Sequence, residues 1–198
     1  MTQYLLLEEY LRAGGIIMVP LAVVSVAMWL LIVDRALFFR RLHRKNMDLG
    51  TALTHIRDNR MPDPMRYRGA ISLLVARFLV RRSGDRRLDR FLVDEAVITI
   101  NRSLGDYLTV IGVLAAVAPL LGLLGTVTGM IGTFDILAVF GTGNAKGMAG
   151  GISEALITTQ TGLLVAIPGL YMKGFLDRRA RNLQKRIAQA GYYLRRHL

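Results

Sequence analysis

Tyr107-Leu-Thr-Val-Ile-Gly-Val-Leu-Ala-Ala-Val-Ala-Pro-Leu-Leu-Gly-Leu-Leu-Gly-Thr-Val-Thr-Gly-Met-Ile-Gly-Thr-Phe134 is 28 consecutive residues without Asp, Glu, Lys or Arg. As an α-helix it reaches about 42 Å, enough to cross a hydrocarbon core of about 30 Å with some surplus. Two further runs lack charge, Ala13–Val33 (21 residues) and Ala155–Met172 (18 residues), equivalent to about 31 and 27 Å of helix. The first is apolar throughout, Ile16-Ile17-Met18-Val19 and then Leu21 to Val33. The third holds Thr158, Thr159, Gln160 and Thr161. On length alone it could be a buried helix of a soluble domain, and its two neighbours favour a span.

Outward from these runs, the composition makes sense only when it is divided. The 198 residues are 53% hydrophobic yet carry 26 Lys+Arg against 14 Asp+Glu, a net charge of +12. Residues 1–12 have net charge −1, residues 34–106 +7, residues 135–154 −1 and residues 173–198 +7. Three spans demand this alternation if positive charge stays on the cytoplasmic side. The residues nearest the apolar runs carry the argument: Arg35, Arg40, Arg41, Arg44 and Lys45 after the first, Lys173, Arg178, Arg179 and Arg181 after the third. The expected fold is therefore all-α, a polytopic membrane protein with three transmembrane helices extended into the cytoplasm, N-out and C-in. Its segments are a short external N-terminus (1–12), spans at 13–33, 107–134 and 155–172, cytoplasmic helical segments at 34–106 and 173–198, and an external loop at 135–154.

Several function classes fall away. Zero cysteines exclude disulfides, thiolate metal sites and cysteine nucleophiles. The basic residues flank apolar runs, so anionic lipid headgroups are more natural neighbours than nucleic acid. A cleaved signal peptide is not expected either, because Glu8 and Glu9 precede the first run and that run is too long for an h-region. His43, His55 and His197 lie in charged segments without ligand spacing, and Gly141-Thr-Gly-Asn-Ala-Lys-Gly147 lacks the ending of a phosphate-binding loop and reads as a flexible external loop. No enzyme activity, cofactor or metal is expected.

In the cytoplasmic parts, Asn59-Arg60-Met61-Pro62-Asp63-Pro64 breaks any helix. Ile71, Leu74, Phe78 and Leu79 suggest an amphipathic helix. Leu88, Phe91 and Leu92 begin another that could run unbroken into the second span. In the tail, Leu176, Ala180, Leu183, Ile187, Ala190 and Leu194 form one apolar stripe along a basic helix. Packing against other cytoplasmic helices is the preferred reading of that stripe, over a helix lying on a membrane surface.

Inside the spans, small residues dominate one face. Ala115, Ala118, Gly122, Gly125, Gly129 and Gly132 follow helical spacing in the second, and Thr159, Gly162, Ala166 and Gly169 answer in the third. In lipid, close backbone approach along such stripes drives helix association, within one subunit or between subunits. Thr126 and Thr133, seven apart, share nearly one face; Glu154, Thr158 and Thr161 share another, with Thr159 about 140° from Glu154. A hydrogen bond to the preceding turn is the ordinary use of each hydroxyl, and Ser153-Glu154 resembles an N-cap followed by a first-turn acid.

Pro119-Leu-Leu-Gly-Leu-Leu-Gly-Thr-Val-Thr-Gly-Met-Ile-Gly-Thr-Phe134 resembles the second-span signature of the MotA/TolQ/ExbB proton-channel family. Ala149-Gly-Gly-Ile-Ser-Glu-Ala-Leu-Ile-Thr-Thr-Gln-Thr-Gly-Leu-Leu-Val-Ala-Ile-Pro168 is similar to its third-span signature. Three spans rather than the four of the flagellar stator subunit place the resemblance in the ExbB/TolQ branch. It implies a homopentamer in the bacterial inner membrane, around the single-span helices of an ExbD/TolR-like partner. Proton flow would drive movement delivered to a TonB- or TolA-like protein, for outer-membrane uptake or, in the Tol branch, envelope maintenance. By the same resemblance Thr126, Glu154 and Thr159 belong to the proton pathway, Thr126 and Thr159 facing the pore; Thr133 and Thr158 join them as candidate lining residues.

The residues add one independent point. None of the three charge-free runs holds Asp, Glu, Lys, Arg or His, and Glu154 lies at the edge of one. A transmembrane proton relay normally needs a titratable group within the membrane, so if this chain conducts protons the group belongs to another polypeptide. A non-conducting scaffold using the same glycine stripes is the competing reading. A solute carrier is disfavoured by the lack of internal repeats, broken helix pairs and intramembrane charge.

Overall fold

The computed structural model describes residue 10 and residues 13–43, 47–63, 65–67 and 69–198. Glu8, Glu9, Arg12, Arg44, Lys45 and Pro64, used in the charge and breaker readings above, lie outside the described residues. Among the described residues the regular structure is helical. It comprises α1 (Met18–His43), α2 (Leu49–Arg57), α3 (Ala70–Arg81), α4 (Arg86–Gly105), α5 (Leu108–Phe140), a 3₁₀ turn (Gly141–Gly143) and α6 (Ala145–His197). The apolar helix α1, the stretch Arg86–Gly143 that contains α5, and α6 are each long and apolar enough to cross a membrane.

The helix ends differ from the sequence expectation. α5 continues past Phe134 to Phe140, and α6 begins at Ala145, so the linker shrinks from the expected 135–154 to four residues. The flexible-loop reading of Gly141–Gly147 is corrected accordingly. Asn144 starts α6, its Oδ1 accepting the Gly147 N–H at 3.0 Å, as an N-cap side chain does. Ser153 is therefore well inside a helix and not a cap, and Glu154 is not a first-turn acid. Gly150-Gly151 weakens a helix by propensity alone, but Gly151 lies against the Gly129 carbonyl and the Thr133 side chain of α5, and tertiary packing keeps the turn helical.

The described residues divide into two units, one formed by those up to Ile32 together with Thr109–Lys173, the other by those of Val33–Leu108 and Gly174–Leu198. In the first, Ile17, just before α1, and Leu21 of α1 pack with Ala118 of α5 and Ala166 of α6, with Val24, Leu121 and Val165 around them. Large apolar side chains elsewhere in this unit point outward: Val23 and Leu30 on α1, Leu120, Val127 and Phe134 on α5, Leu164 and Ile167 on α6. So continuous an apolar exterior suits lipid or neighbouring subunits rather than water. Pro119 and Pro168 sit inside α5 and α6, as membrane helices tolerate.

The second unit is built like a water-soluble domain. Asp48 caps α2 through the Gly50 N–H, and Asp85 caps α4 through the Arg87 N–H at 2.8 Å. Its core takes Phe39, Met47, Ile56, Leu74 and Phe78, together with every member of the tail stripe from Leu176 to Leu194. The α6 tail lies along α4: Gly191 faces Val97, Gln184 Nε2 donates to the Asn101 carbonyl at 3.2 Å, and Arg195 pairs with Asp94 at 3.0 Å. α4 buries Asp89, Val93, Ala96, Ile100 and Leu104 and leaves Leu88 and Phe91 exposed, the reverse of the face that Leu88, Phe91 and Leu92 suggested. Asp89 tolerates burial because its carboxylate accepts from the Ser83 N–H and hydroxyl and pairs with Arg82. Nor does α4 continue into α5; the helix is interrupted at Asp106–Tyr107.

The α5–α6 contact generates a quantitative expectation. A Cβ on Gly125 would overlap the Thr158 side chain, and one on Gly162 would lie 2.8 Å from the Ala118 carbonyl oxygen, whereas one on Gly132 would meet nothing within 4 Å. Thermal unfolding in detergent should show Gly125→Ala and Gly162→Ala each destabilised by about 1–3 kcal/mol, the usual cost of overpacking. Gly132→Ala should gain up to about 1 kcal/mol from helix propensity. Equal losses at all three positions would mean that Gly132 packs on a second copy.

Candidate functional site

The candidate site is the margin of the α5–α6 seam, and it follows from how two small-residue stripes meet. Gly122 faces the backbone of Thr158, Thr159 and Gly162; Gly125 faces the Thr158 side chain; Gly129 faces Gly151 and Ala155. Two helices that touch through backbone leave little room for side chains between them, so any hydroxyl nearby is either wedged into the seam or set at its edge.

Thr133 and Thr158 are wedged. Thr158 is fully buried over Gly125, its hydroxyl donating back to the Ala155 carbonyl at 2.9 Å and the Glu154 carbonyl at 3.1 Å. Thr133 is buried against Gly151 and donates to the Gly129 carbonyl at 3.0 Å. Within the chain these two hold the seam together rather than line an open face, because each methyl and hydroxyl fills the space that a glycine opposite leaves. Gly132 lies off this seam, while Ala166 belongs to it and to the cluster with α1.

Thr126 and Thr159 sit at the edge. Taking Gly122 as the centre of the α5 stripe, Thr126 lies about 40° to one side, and Ala118 and Leu121 lie about 40° and 100° to the other. Those two meet α1. On α6, with Gly162 as centre, Thr159 lies about 60° to one side while Val165, Glu154 and Thr161 lie about 60° to 100° to the other. Val165 packs on the α1 cluster, Glu154 abuts Gly15, and the Thr161 hydroxyl bonds the Tyr10 hydroxyl at 2.9 Å. Both threonines thus occupy the margin turned away from α1. Glu154 occupies the opposite one, toward the chain that leads into α1.

The two hydroxyls are anchored but not exhausted. Thr126 Oγ1 donates to the Leu123 carbonyl at 2.7 Å, and Thr159 Oγ1 lies 3.2 Å from the Ala155 carbonyl and 3.3 Å from that of Gly122, across the seam. A threonine hydroxyl has one proton to donate and two lone pairs with which to accept. With the proton engaged, each oxygen can still accept from a water or from a protonated carboxyl group. Around them the margin is apolar and exposed, with Leu123 and Met130. Glu154 is placed differently: Gly15 has φ +65°, and any Cβ there would collide with the Glu154 carboxylate. The backbone angle favours glycine at that position, and a side chain there would displace the carboxylate.

Among the described residues no three His, Cys, Asp or Glu side chains gather as metal ligands. Sequence reasoning overlooked Asn144 and Gly15. Asn144 was legible, since an Asn just before a helix is an N-cap signal. Gly15 was not, because its carboxylate neighbour lies 139 positions further along the chain.

Comparison with known proteins joins this geometry to a family. The sequence profile of the MotA/TolQ/ExbB proton channel family matches residues 60–189, which include most of α3 to α6. The ExbB-like 1 protein of Synechocystis sp. is 32% identical over 193 residues, covering 82% of this chain and 66% of that protein; ExbB-like 3 of the same organism is 33% identical over 165 residues, covering 80% and 79%. The biopolymer transport protein ExbB of Aquifex aeolicus is 40% identical over 82 residues, covering 41% of this chain and 55% of that protein. With three apolar helices, a glycine seam and a profile match over more than half its length, this membrane protein belongs to the MotA/TolQ/ExbB proton channel family, among ExbB-like relatives.

Proposed function

We propose that the chain is an ExbB-like ring subunit of a proton-motive-force-driven complex in the bacterial inner membrane, with no catalytic site of its own. The ring, a pentamer by family resemblance, encloses an ExbD/TolR-like single-span partner and energises TonB-dependent uptake through a TonB-like protein. α5 and α6 line the pore, with Thr126 and Thr159 turned toward the partner's carboxylate. The observation that carries the reading is the placement of both hydroxyls on the margin away from α1, in helices whose charge-free runs hold no Asp, Glu, Lys, Arg or His. Their spare acceptor capacity suits a protonated carboxyl or a water chain, and the proton-binding group comes from the partner. Glu154, on the other margin, acts in this reading as the brace of the chain entering α1. The names of the relatives, biopolymer transport proteins, favour the uptake role over envelope maintenance.

In proteoliposomes holding the chain with its single-span partner, Thr126→Val and Thr159→Val should each slow dye-reported proton flux by about tenfold or more, the worth of one hydrogen bond to a charged or proton-sharing group. Thr126→Ser and Thr159→Ser should retain it. Full flux in the Thr126→Val, Thr159→Val double variant would remove the assigned pore face, and an absence of flux in the unmodified complex would favour the scaffold reading.

The N-out, C-in orientation is open to direct labelling, because the chain has no cysteine of its own. In spheroplasts, Thr142→Cys should react with a membrane-impermeant maleimide and Gln189→Cys should react only after permeabilisation. The opposite pattern would invert the ring.

A further inference from the structure

α4 ends at Gly105 and α5 starts at Leu108; between them Tyr107 has φ +61°. The left-handed region is unfavourable for any residue with a Cβ, and a bulky one stays there only where its surroundings over-determine it. Gly105, two residues earlier, takes that conformation at little cost, yet its φ is not positive. The chain breaks at the tyrosine with a glycine at hand, so something must hold the tyrosine.

Arg35 does. Counted in the sequence among the charges that flank the first span, it is only 8% exposed. Its guanidinium lies 4.5 Å from the centre of the Tyr107 ring and 5.1 Å from that of Phe38, within the range of cation–π attraction. Its Nη1 donates to the Ser103 carbonyl at 3.3 Å. In an uninterrupted α-helix that carbonyl would accept the N–H of the residue four positions on, which is Tyr107. Arg35 thus occupies the hydrogen-bond place of the Tyr107 amide and at the same time holds the Tyr107 ring. The clamp is not fully satisfied, since Arg35 Nε is buried without a hydrogen-bond partner and lies 3.6 Å from the mostly exposed Asp34 carboxylate. A buried donor left over in this way is costly, so the arrangement is poised rather than locked.

We propose that Asp106–Tyr107 is a two-state junction and that Arg35 is the positioning residue that selects its interrupted state. With Arg35 in place the helix stops at Gly105 and restarts at Leu108. With Arg35 withdrawn, the Tyr107 amide recovers the Ser103 carbonyl, φ at residue 107 returns to the helical value, and α4 and α5 form one helix.

Hydrogen exchange read by mass spectrometry on the full chain in lipid nanodiscs tests this, following peptides that span residues 104–111. In the unmodified chain the first-turn amides of α5 lack intrahelical partners and exchange fast. Arg35→Met should slow them by about tenfold or more as they enter a continuous helix. Tyr107→Leu, which removes the ring but not the charge, should do the same. Tyr107→Gly should keep the fast exchange and raise the melting temperature, since it relieves the backbone without closing the break. If Arg35→Met fails to fold, Arg35→Lys keeps the charge, loses the planar contact and should also slow exchange. Wild-type or faster exchange in both Arg35→Lys and Tyr107→Leu would overturn the clamp, as would a lowered melting temperature in Tyr107→Gly.

Discussion

Lipid gives two apolar helices no hydrophobic reason to touch, so the contact between α5 and α6 depends on how closely their backbones approach. That approach is made by Gly122, Gly125 and Gly129 on one side and Gly151 and Gly162 on the other, positions where even a methyl group would meet backbone or side-chain atoms of the opposite helix. The rest of the membrane unit follows from this contact. Thr133 and Thr158 fill what the glycines leave open. α1 finds its groove where Ala118 and Ala166 come together, and the large apolar side chains are turned outward to lipid or neighbours. The same closeness pushes Thr126 and Thr159 to a shared edge, so the packing constraint and the candidate proton-handling face have one origin.

The second unit solves a different problem with different means. Here the helices show ordinary amphipathic logic: aspartates cap α2 and α4, and the tail stripe of α6 packs along α4. Its departures from that logic are local and electrostatic. Asp89 is buried because Ser83 and Arg82 satisfy it. Arg35 is buried because two aromatic rings and a helix-terminal carbonyl do so in part. Both examples show charged side chains recruited to the ends of helices, where backbone groups have lost their partners.

Several features were legible from residues alone because they are periodic or additive. The tail stripe repeats every three to four residues, and each member is buried. The charge-free runs fall largely within helices long enough to cross a bilayer, the first from Met18 onward, and the small-residue stripes of the second and third runs meet as a seam, apart from Gly132. What misled was local propensity read without a partner. Gly141–Gly147 and Gly150-Gly151 look like loop, yet α6 starts at Ala145 because α5 lies against Gly151 and needs its bare backbone. Leu88 and Phe91 look like core, yet α4 turns its Val93, Ala96 and Ile100 face inward because that face meets the α6 tail. An amphipathic helix with apolar residues on two faces cannot announce which face will find a partner.

The sequence by itself determined how many apolar helices there are and where the charge lies, and that no Asp, Glu, Lys, Arg or His falls inside the charge-free runs. These are sums and periods along one chain, and no folding is needed to read them. Only the tertiary structure decided which hydroxyls are wedged and which are at the edge. It also decided that Glu154 lies against Gly15 on the side opposite Thr126 and Thr159, and that Tyr107 sits left-handed under Arg35. Each of these is a contact between residues far apart in the chain. The geometry at one end is set by the space and hydrogen-bonding groups left at the other, a quantity that no local window of sequence contains.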